Sequence, residues 1–134
     1  MGTSRNVHDI TLTATRTGNK VRISGIGDAD LPKGTGAHRF NFTLTGAKEL
    51  ELNFSSLVVE DGGSTCPPKP EPGEKSKQIV TMKIGPQPRT AWFIDNNDNS
   101  GQMDISYQWN FTCTDTAVQV DPFDPIIRNG GGVP

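Results

Sequence analysis

The segment from Met103 to Cys113 alternates apolar and polar residues without interruption. Successive side chains of a β-strand point to opposite faces of the sheet, so a period of two collects every apolar group on one side. The segment is therefore predicted to be a strand with one face in a hydrophobic core. Its apolar side comprises Met103, Ile105, Tyr107, Trp109, Phe111 and Cys113.

The same period of two recurs along most of the chain. Residues 9–14 and 20–24 both alternate, and Thr17-Gly18-Asn19 between them is typical of a turn, which predicts an N-terminal hairpin. No segment shows the period of an amphipathic helix. Further strands are predicted around residues 40–44, 50–54, 57–59, 78–84, 90–94 and 118–120.

Short strands at this spacing predict an all-β protein, and specifically a single antiparallel β-sandwich of about eight or nine strands. The predicted sandwich is immunoglobulin-like in general architecture only. The immunoglobulin fold places a tryptophan on a strand between two cysteine-bearing strands, whereas Trp109 and Cys113 share one strand here.

Composition and charge narrow the class of protein. The chain has 134 residues, including 15 glycines and 10 prolines, which disfavour helix interiors. Residues 1–134 have the length of one domain. The formal net charge of -2 gives no reason to expect a nucleic acid or an anionic membrane as partner. No apolar run is long enough to span a bilayer and no secretory signal is visible, so we expect a cytoplasmic protein.

Two segments are predicted to lie outside the sheets. Residues 61–77 contain four prolines and three glycines, which predicts a surface loop. Cys66 lies in this loop and Cys113 at the end of a strand, and both a bridge between them and two free thiols are compatible with the sequence, the thiols being favoured in the cytoplasm. The glycines near the C-terminus predict a flexible tail at residues 129–134.

Acidic and amide residues concentrate between residues 95 and 104. Calcium takes six to eight oxygen ligands, and short Asp/Asn loops supply them at alternate positions. The segment partly matches an EF-hand loop when it is read from Asn96, but Tyr107 stands where that loop has its bidentate glutamate. The same composition is typical of a polar turn between two strands. The candidate calcium ligands are Asp95, Asn97, Asp98 and Asp104.

Catalytic signals are weak. Asp28, Asp30 and His38 are the candidate residues of a small hydrolase, which requires their side chains to converge. The Gly-rich stretch around the two aspartates is also typical of a loop between strands. Trp92, Tyr107 and Trp109 are candidates for an aromatic platform, although the alternation favours core packing for the latter two.

The C-terminal part contains the sequence Asp124-Pro125-Ile126-Ile127-Arg128-Asn129. With the alternating strand that carries Tyr107 and Trp109, it resembles a family of small bacterial all-β proteins, the DP-EP family, whose members close with Asp-Pro-x-Ile-x-Asn. The part that resembles the family runs from Asp95 to Asn129. The Glu-Pro half of the family label has no counterpart in this tail. The resemblance implies a bacterial β-sandwich and assigns no activity, cofactor or catalytic residue.

The sequence therefore favours a non-enzymatic binding or interaction module of a bacterial protein, acting through its loops on a protein or glycan partner. The first alternative is a calcium-assisted glycan- or surface-binding protein. The second is the small hydrolase. The oligomeric state is left open by the sequence.

Overall fold

Two β-sheets build the part of the chain that the computed structural model describes, residues 6–62 and 76–132. The first sheet has the order β6-β7-β4-β1-β2-β9 and the second has the order β3-β10-β8-β5. The strands of this part are β1 (Val7–Thr17), β2 (Lys20–Ser24), β3 (Ala29–Leu31), β4 (His38–Gly46), β5 (Leu52–Asp61), β6 (Thr81–Ile84), β7 (Thr90–Asp95), β8 (Met103–Cys113), β9 (Gln119–Val120) and β10 (Ile126–Asn129). The all-β prediction is confirmed.

The predicted N-terminal hairpin is present. β1 and β2 pair in antiparallel fashion, with Thr17 opposite Lys20, so that Gly18 and Asn19 form the turn. Gly18 has φ of 63°, a left-handed conformation that glycine adopts without steric cost. The local turn chemistry therefore sets the register of these two strands.

Aromatic side chains of both sheets meet in the core. Phe42 and Phe93 come from the first sheet, and Tyr107 and Trp109 come from β8 of the second. The ring centroids of Phe93 and Tyr107 lie 5.0 Å apart, and those of Phe42 and Trp109 lie 5.6 Å apart, both in edge-to-face geometry. Tyr107 and Trp109 are fully buried, as the alternation of β8 predicts.

The expectation of a purely antiparallel arrangement is wrong. β1 pairs with β4, β2 with β9 and β3 with β10 in parallel fashion. After β2 the chain crosses to the second sheet, forms β3 there and returns, so that β4 runs beside β1 in the same direction. Alternation reports which face of a strand is buried, but it carries no information on the direction of the neighbouring strand.

Residues 129–132, for which the sequence predicts a flexible tail, are packed against other segments of the chain. β10 lies inside the second sheet, between β3 and β8, and Asn129 is fully buried. Gly130 N donates to Leu31 O at 2.7 Å, and Gly132 N donates to Asn99 O at 3.0 Å. Because glycine has no side chain, this segment can pack directly against the backbone of two other loops.

The predicted proline-rich loop lies mostly outside the described residues, as does Cys66 and with it the question of a bridge to Cys113. At the described ends of that loop, the Asp61 carboxylate accepts hydrogen bonds from Ser76 Oγ and Lys77 N.

Residues 6–62 and 76–132 include no helix that is long and apolar enough to cross a membrane.

Candidate functional site

A groove of about 630 Å³ opens at the end of the two sheets where β4 ends and β5 begins. Its wall is apolar, because Leu44, Leu50 and Leu52 line it while their side chains reach into the core. Ligand pockets typically enclose roughly 300–1,000 Å³ and combine such a wall with a few polar groups. The hydrophilic lining residues include Thr45, Lys48, Glu51, Asn53, Thr112 and Thr114.

Arg89 holds the loop on one side of this groove. Its guanidinium donates to the carbonyl oxygens of Gly46, Ala47 and Leu50 over 2.5–3.1 Å. Its backbone N–H donates to Asn53 Oδ1 at 3.0 Å. Arg89 adopts a left-handed φ of 62°, which is unfavourable for a residue with a side chain. These bonds tie the loop after β4 to the starts of β5 and β7.

β4 ends at Gly46 beside the groove, and the backbone at this position requires glycine. Its φ of 85° is left-handed, and a Cβ at this position would lie 2.3 Å from the carbonyl oxygen of Ala14 on β1. No side chain fits in that space. The turn that follows is closed by a hydrogen bond from Leu50 N to Ala47 O at 3.0 Å.

The rim of the groove carries charge and hydroxyl groups. Lys48 and Glu51 are exposed, and Glu51 Oε1 accepts a hydrogen bond from Thr114 Oγ1 at 3.2 Å. Glu51 is the single carboxylate among the residues that line the groove, which include no histidine or cysteine. The arrangement can therefore enclose an apolar group and hydrogen-bond its polar surroundings.

A polar cluster of Asp95, Asn97, Asn99 and Asn129 lies at the opposite end of the core, and all four side chains are buried. Asp95 Oδ1 accepts hydrogen bonds from Asn97 N at 3.0 Å and from Asn129 Nδ2 at 2.8 Å. Asn129 Nδ2 also donates to Asn99 Oδ1 at 3.1 Å. The polar cluster thereby joins the end of β7 to the end of β10.

Asn97 links the polar cluster to two further segments. Its Nδ2 lies within 3.3 Å of three acceptors, namely Pro32 O, Thr35 Oγ1 and Gly36 O. Its Oδ1 accepts a hydrogen bond from Gly131 N at 3.0 Å. Both ends of this amide are therefore engaged by protein groups.

The electrostatics of the polar cluster centre on Asp95. Burial raises the pKa of this carboxyl from 3.8 to about 6, and hydrogen bonds from Asn129 and Asn97 oppose the rise. The negative charges of Asp61 and Asp98 raise the pKa further. Asp95 thus gains protons more readily than an ordinary aspartate.

The four predicted calcium ligands do not surround one point. Asp95 and Asn97 are buried in the polar cluster, whereas Asp98 is exposed. Asp104 Oδ1 lies 3.2 Å from Arg128 Nε on the outer side of the second sheet. Within residues 6–62 and 76–132, no three His, Cys, Asp or Glu side chains form a group suited to a metal ion.

Of the three predicted hydrolase residues, Asp28 and Asp30 line one surface groove beside β10, and His38 is not among the residues that line it. His38 Nε2 is 2.8 Å from Thr35 Oγ1, and its Nδ1 is 3.0 Å from His8 Nε2, so neither ring nitrogen contacts an aspartate. Burial lowers the pKa of both histidines. Asp28 Oδ1 accepts from a backbone N–H of β10, and Asp30 pairs with Arg128 at 3.8 Å. His38 therefore does not converge with the two aspartates.

The three candidate aromatic residues do not form a platform. Tyr107 and Trp109 are in the core, and the Tyr107 hydroxyl donates to Gly27 O at 3.0 Å. Trp92 lies on the other side of β7 from Phe93, and the Arg39 guanidinium covers its ring at 4.2 Å from the centroid.

Sequence reasoning missed Arg89, Asn99 and Asn129. Arg89 follows Pro86-Gln87-Pro88, a segment that predicts a turn but gives no indication of where the guanidinium binds. Asn129 matches the closing Asn of the resemblance, which is the one local signal that singles it out. The partners of all three residues are far away in sequence, at separations of 30 or more for most of their bonds.

Two comparisons of the sequence with known proteins give no match. No model of a protein family matches this chain, and no match is found among curated proteins. The resemblance to the DP-EP family therefore stays a prediction of the sequence.

Proposed function

We propose that this protein is a non-enzymatic binding module that takes an apolar side chain of a partner protein into the groove between the ends of β4, β5, β7 and β8. The observation that carries the proposal is the leucine wall formed by Leu44, Leu50 and Leu52 under a polar rim. Transfer of apolar surface from water to such a wall is favourable, and rim groups then orient the partner.

A protein partner is favoured over a glycan. Sugar rings stack on exposed aromatic faces, because these faces are apolar and flat. None of the residues that line the groove is aromatic. The half-exposed Trp92 has Arg39 over its ring. Aliphatic side chains such as leucine or methionine match the groove better.

The absence of catalysis is part of the proposal. Hydrolytic enzymes of the common classes need a nucleophile beside a base or a pair of carboxyl groups. Glu51 is the one acidic residue lining the groove, and its Oε1 is hydrogen-bonded to Thr114. We expect the purified protein to be inactive towards ester, phosphate and glycoside substrates, and turnover of any of these that is lost in Glu51→Gln would refute the proposal.

The scaffold and location belong to the same proposal. We infer that the two mixed sheets act as a β-sandwich, with contacts such as Phe42 to Trp109 fixing the groove walls. The cytoplasm of a bacterium remains the expected location, as the sequence predicts.

The test is a selection of peptides on the immobilised protein. A phage-displayed library of random peptides supplies the probes, and the synthetic versions of selected peptides are titrated by calorimetry and NMR. We expect the selected peptides to share an apolar residue. We also expect them to shift the backbone amide signals of Thr45, Lys48 and Thr112.

Two matched variants locate the binding site. Thr45→Trp places a large ring in the groove and is expected to weaken binding at least about tenfold, the effect of losing about 1.4 kcal/mol. Thr43→Trp makes the same change two residues earlier on β4, at an exposed position outside the groove, and is expected to leave binding unchanged. Equal effects of the two substitutions, or no selected peptide at all, would count against the groove.

A further inference from the structure

Two oxygen atoms of the polar cluster have no hydrogen-bond partner among the described residues, although both side chains are fully buried. They are Asp95 Oδ2 and Asn129 Oδ1. These atoms belong to adjacent groups, since Asn129 Nδ2 donates to Asp95 Oδ1 at 2.8 Å. A buried polar atom without a partner is costly. Two such acceptors, on side chains that already share one hydrogen bond, indicate that a proton lies between them.

The orientation of the amides is fixed by their neighbours. Asn99 Nδ2 donates to the Gly101 carbonyl at 2.6 Å, so Asn99 Oδ1 must be the acceptor on its other side. Asn129 then has to direct its Nδ2 towards Asn99 Oδ1 and Asp95 Oδ1. Rotation of the Asn129 amide would place oxygen against oxygen at both contacts. Its Oδ1 is therefore an acceptor that lacks a donor.

The two oxygens of Asp95 are unequal in the same sense. Oδ1 accepts from Asn97 N and from Asn129 Nδ2, and Oδ2 accepts from neither. Both oxygens of an ionised carboxylate can only accept, whereas a carboxylic acid has one carbonyl oxygen that accepts and one hydroxyl that donates. A proton on Oδ2 would give Asn129 Oδ1 the donor that it lacks.

We propose that Asp95 is a neutral carboxylic acid whose Oδ2–H donates to Asn129 Oδ1, forming a doubly hydrogen-bonded acid–amide pair that latches residues 129–132 to the end of β7. Loss of this proton opens the latch. The latch is independent of the groove and of the function proposed for it, because none of its residues lines the groove.

Loss of the proton affects more than one bond. The resulting carboxylate oxygen would face Asn129 Oδ1, so two electronegative atoms would meet in the core. The charged and titratable groups around Asp95 are Asp61, Asp98 and, as its cross-strand neighbour on β4, His38. Both aspartates disfavour a further negative charge, which agrees with the raised pKa of Asp95.

The segment that opening of the latch releases, residues 130–132, covers the end of the core. Gly131 N is held by Asn97 Oδ1, and Gly131 O accepts from Gly34 N at 2.9 Å. These contacts depend on Asn129 because the chain enters the segment through it. We therefore expect the backbone amides of residues 130–132 to become exchangeable as Asp95 ionises.

The direction with pH follows from the raised pKa. Asp95 binds its proton more tightly in the folded chain than in the unfolded chain, so the latch is fully closed below the unfolded value of 3.8 and opens as pH rises through about 6. His8 and His38 have lowered pKa values, so their contribution to the stability of the protein changes in the opposite direction. It is lost as pH falls below their unfolded value of 6.5. A comparison with an Asp95 variant separates the two effects.

NMR of the wild-type chain tests the proton directly. The side-chain carboxyl carbon of Asp95 is expected to titrate near pH 6, and the exchange rates of the amides of residues 130–132 are expected to rise over the same range. A carboxyl signal that titrates below about pH 4, the ordinary range of aspartate, would overturn the proposal.

Asp95→Asn provides a closed latch at every pH. Its new amide can donate to Asn129 Oδ1 while its oxygen accepts from Asn97 N, as the acid does. We expect this variant to melt at a higher temperature than wild type above about pH 7 and to lose the pH-dependent exchange of residues 130–132. Asp98→Asn removes a charge from an exposed position in the same loop and is expected to keep that dependence, with its midpoint moved to slightly lower pH because Asp98 helps to raise the pKa of Asp95. A destabilised Asp95→Asn variant at neutral pH would overturn the proposal.

A cation bound by the two oxygens is the alternative to a proton, and the same proteins distinguish the two. We expect millimolar calcium to leave the melting temperature of wild type unchanged at about pH 7. A rise in melting temperature that EDTA reverses and that Asp95→Asn abolishes would show a bound cation instead of a proton, and would overturn the proposal.

Discussion

Truncation of Arg89 tests whether one side chain holds the groove loop. Arg89→Ala removes the hydrogen bonds from the guanidinium to the carbonyl oxygens of Gly46, Ala47 and Leu50. Leu50 is buried and forms part of the leucine wall, so a loosened loop also exposes apolar surface. We expect the variant to fold with reduced stability and a disturbed groove.

The size of the loss follows from the three bonds. A hydrogen bond from a charged donor contributes about 1.5 to 3 kcal/mol when it is buried. Arg89 is half-buried, so water replaces part of each bond and about 1 kcal/mol per bond is appropriate. Arg89→Ala is therefore expected to lower the free energy of unfolding by about 3 kcal/mol. Arg89→Gly loses the same bonds but relieves the left-handed φ of 62°, which is worth about 1 kcal/mol.

Urea denaturation of the four proteins measures these differences. The expected order of stability is wild type, Arg89→Lys, Arg89→Gly and Arg89→Ala, because lysine retains a single donor group that reaches fewer carbonyls. A loss below about 0.5 kcal/mol for Arg89→Ala, the range of ordinary surface substitutions, would refute the assignment of the loop to Arg89. Equal stabilities of the alanine and glycine variants would refute the backbone contribution.

Three further predictions concern the core and the polar cluster. The rise in the pKa of Asp95 from 3.8 to about 6 corresponds to about 3 kcal/mol of folding stability, which wild type loses as pH rises through that range. Asp95→Asn should not show this loss, and urea midpoints between about pH 4 and about pH 8 measure the difference. Burial raises the pKa of Tyr107, the single tyrosine, well above 10, so phenolate absorbance should appear in alkali only as the protein unfolds. Gly27→Ala would place a Cβ 2.5 Å from the Tyr107 hydroxyl and should cost about 1 to 3 kcal/mol in thermal unfolding.

The strands were predictable where the chain alternates. β8 follows the apolar residues of its sequence, and Ile105, Tyr107 and Trp109 are fully buried. β3 was missed, because its three residues lie in a glycine-rich stretch too short to display a period. Leu57–Val59 was predicted as a separate strand, but it continues β5 after an irregularity between Phe54 and Ser56. A bulge shifts the alternation by one residue, and the shifted pattern imitates a break between strands.

The polar cluster was less predictable for a physical reason. The sequence between residues 95 and 104 predicts a solvated turn or a calcium loop, since both need polar side chains near one another. Which of these side chains is buried depends on partners from distant segments, such as Pro32 and Gly131 for Asn97. Local composition cannot report these partners. The groove is hidden in the same way, because the residues that line it come from three separate segments of the chain, residues 44–53, 88–89 and 112–114.

The two ends of β4 explain why the groove, and not the polar cluster, is the candidate for binding. At the first residue of β4, His38 is buried against Thr35 and His8, and the segment through Asn129 covers that end of the core with hydrogen-bonded backbone. At the last residue, Gly46, the groove opens over the leucine wall, and the Arg89 guanidinium donates to carbonyl oxygens of the protein itself. A partner at the first end would have to replace internal hydrogen bonds, whereas a partner at the second end would only displace water from apolar surface. The second process is the favourable one, and it places recognition at the end of the core where an apolar wall lines an open groove.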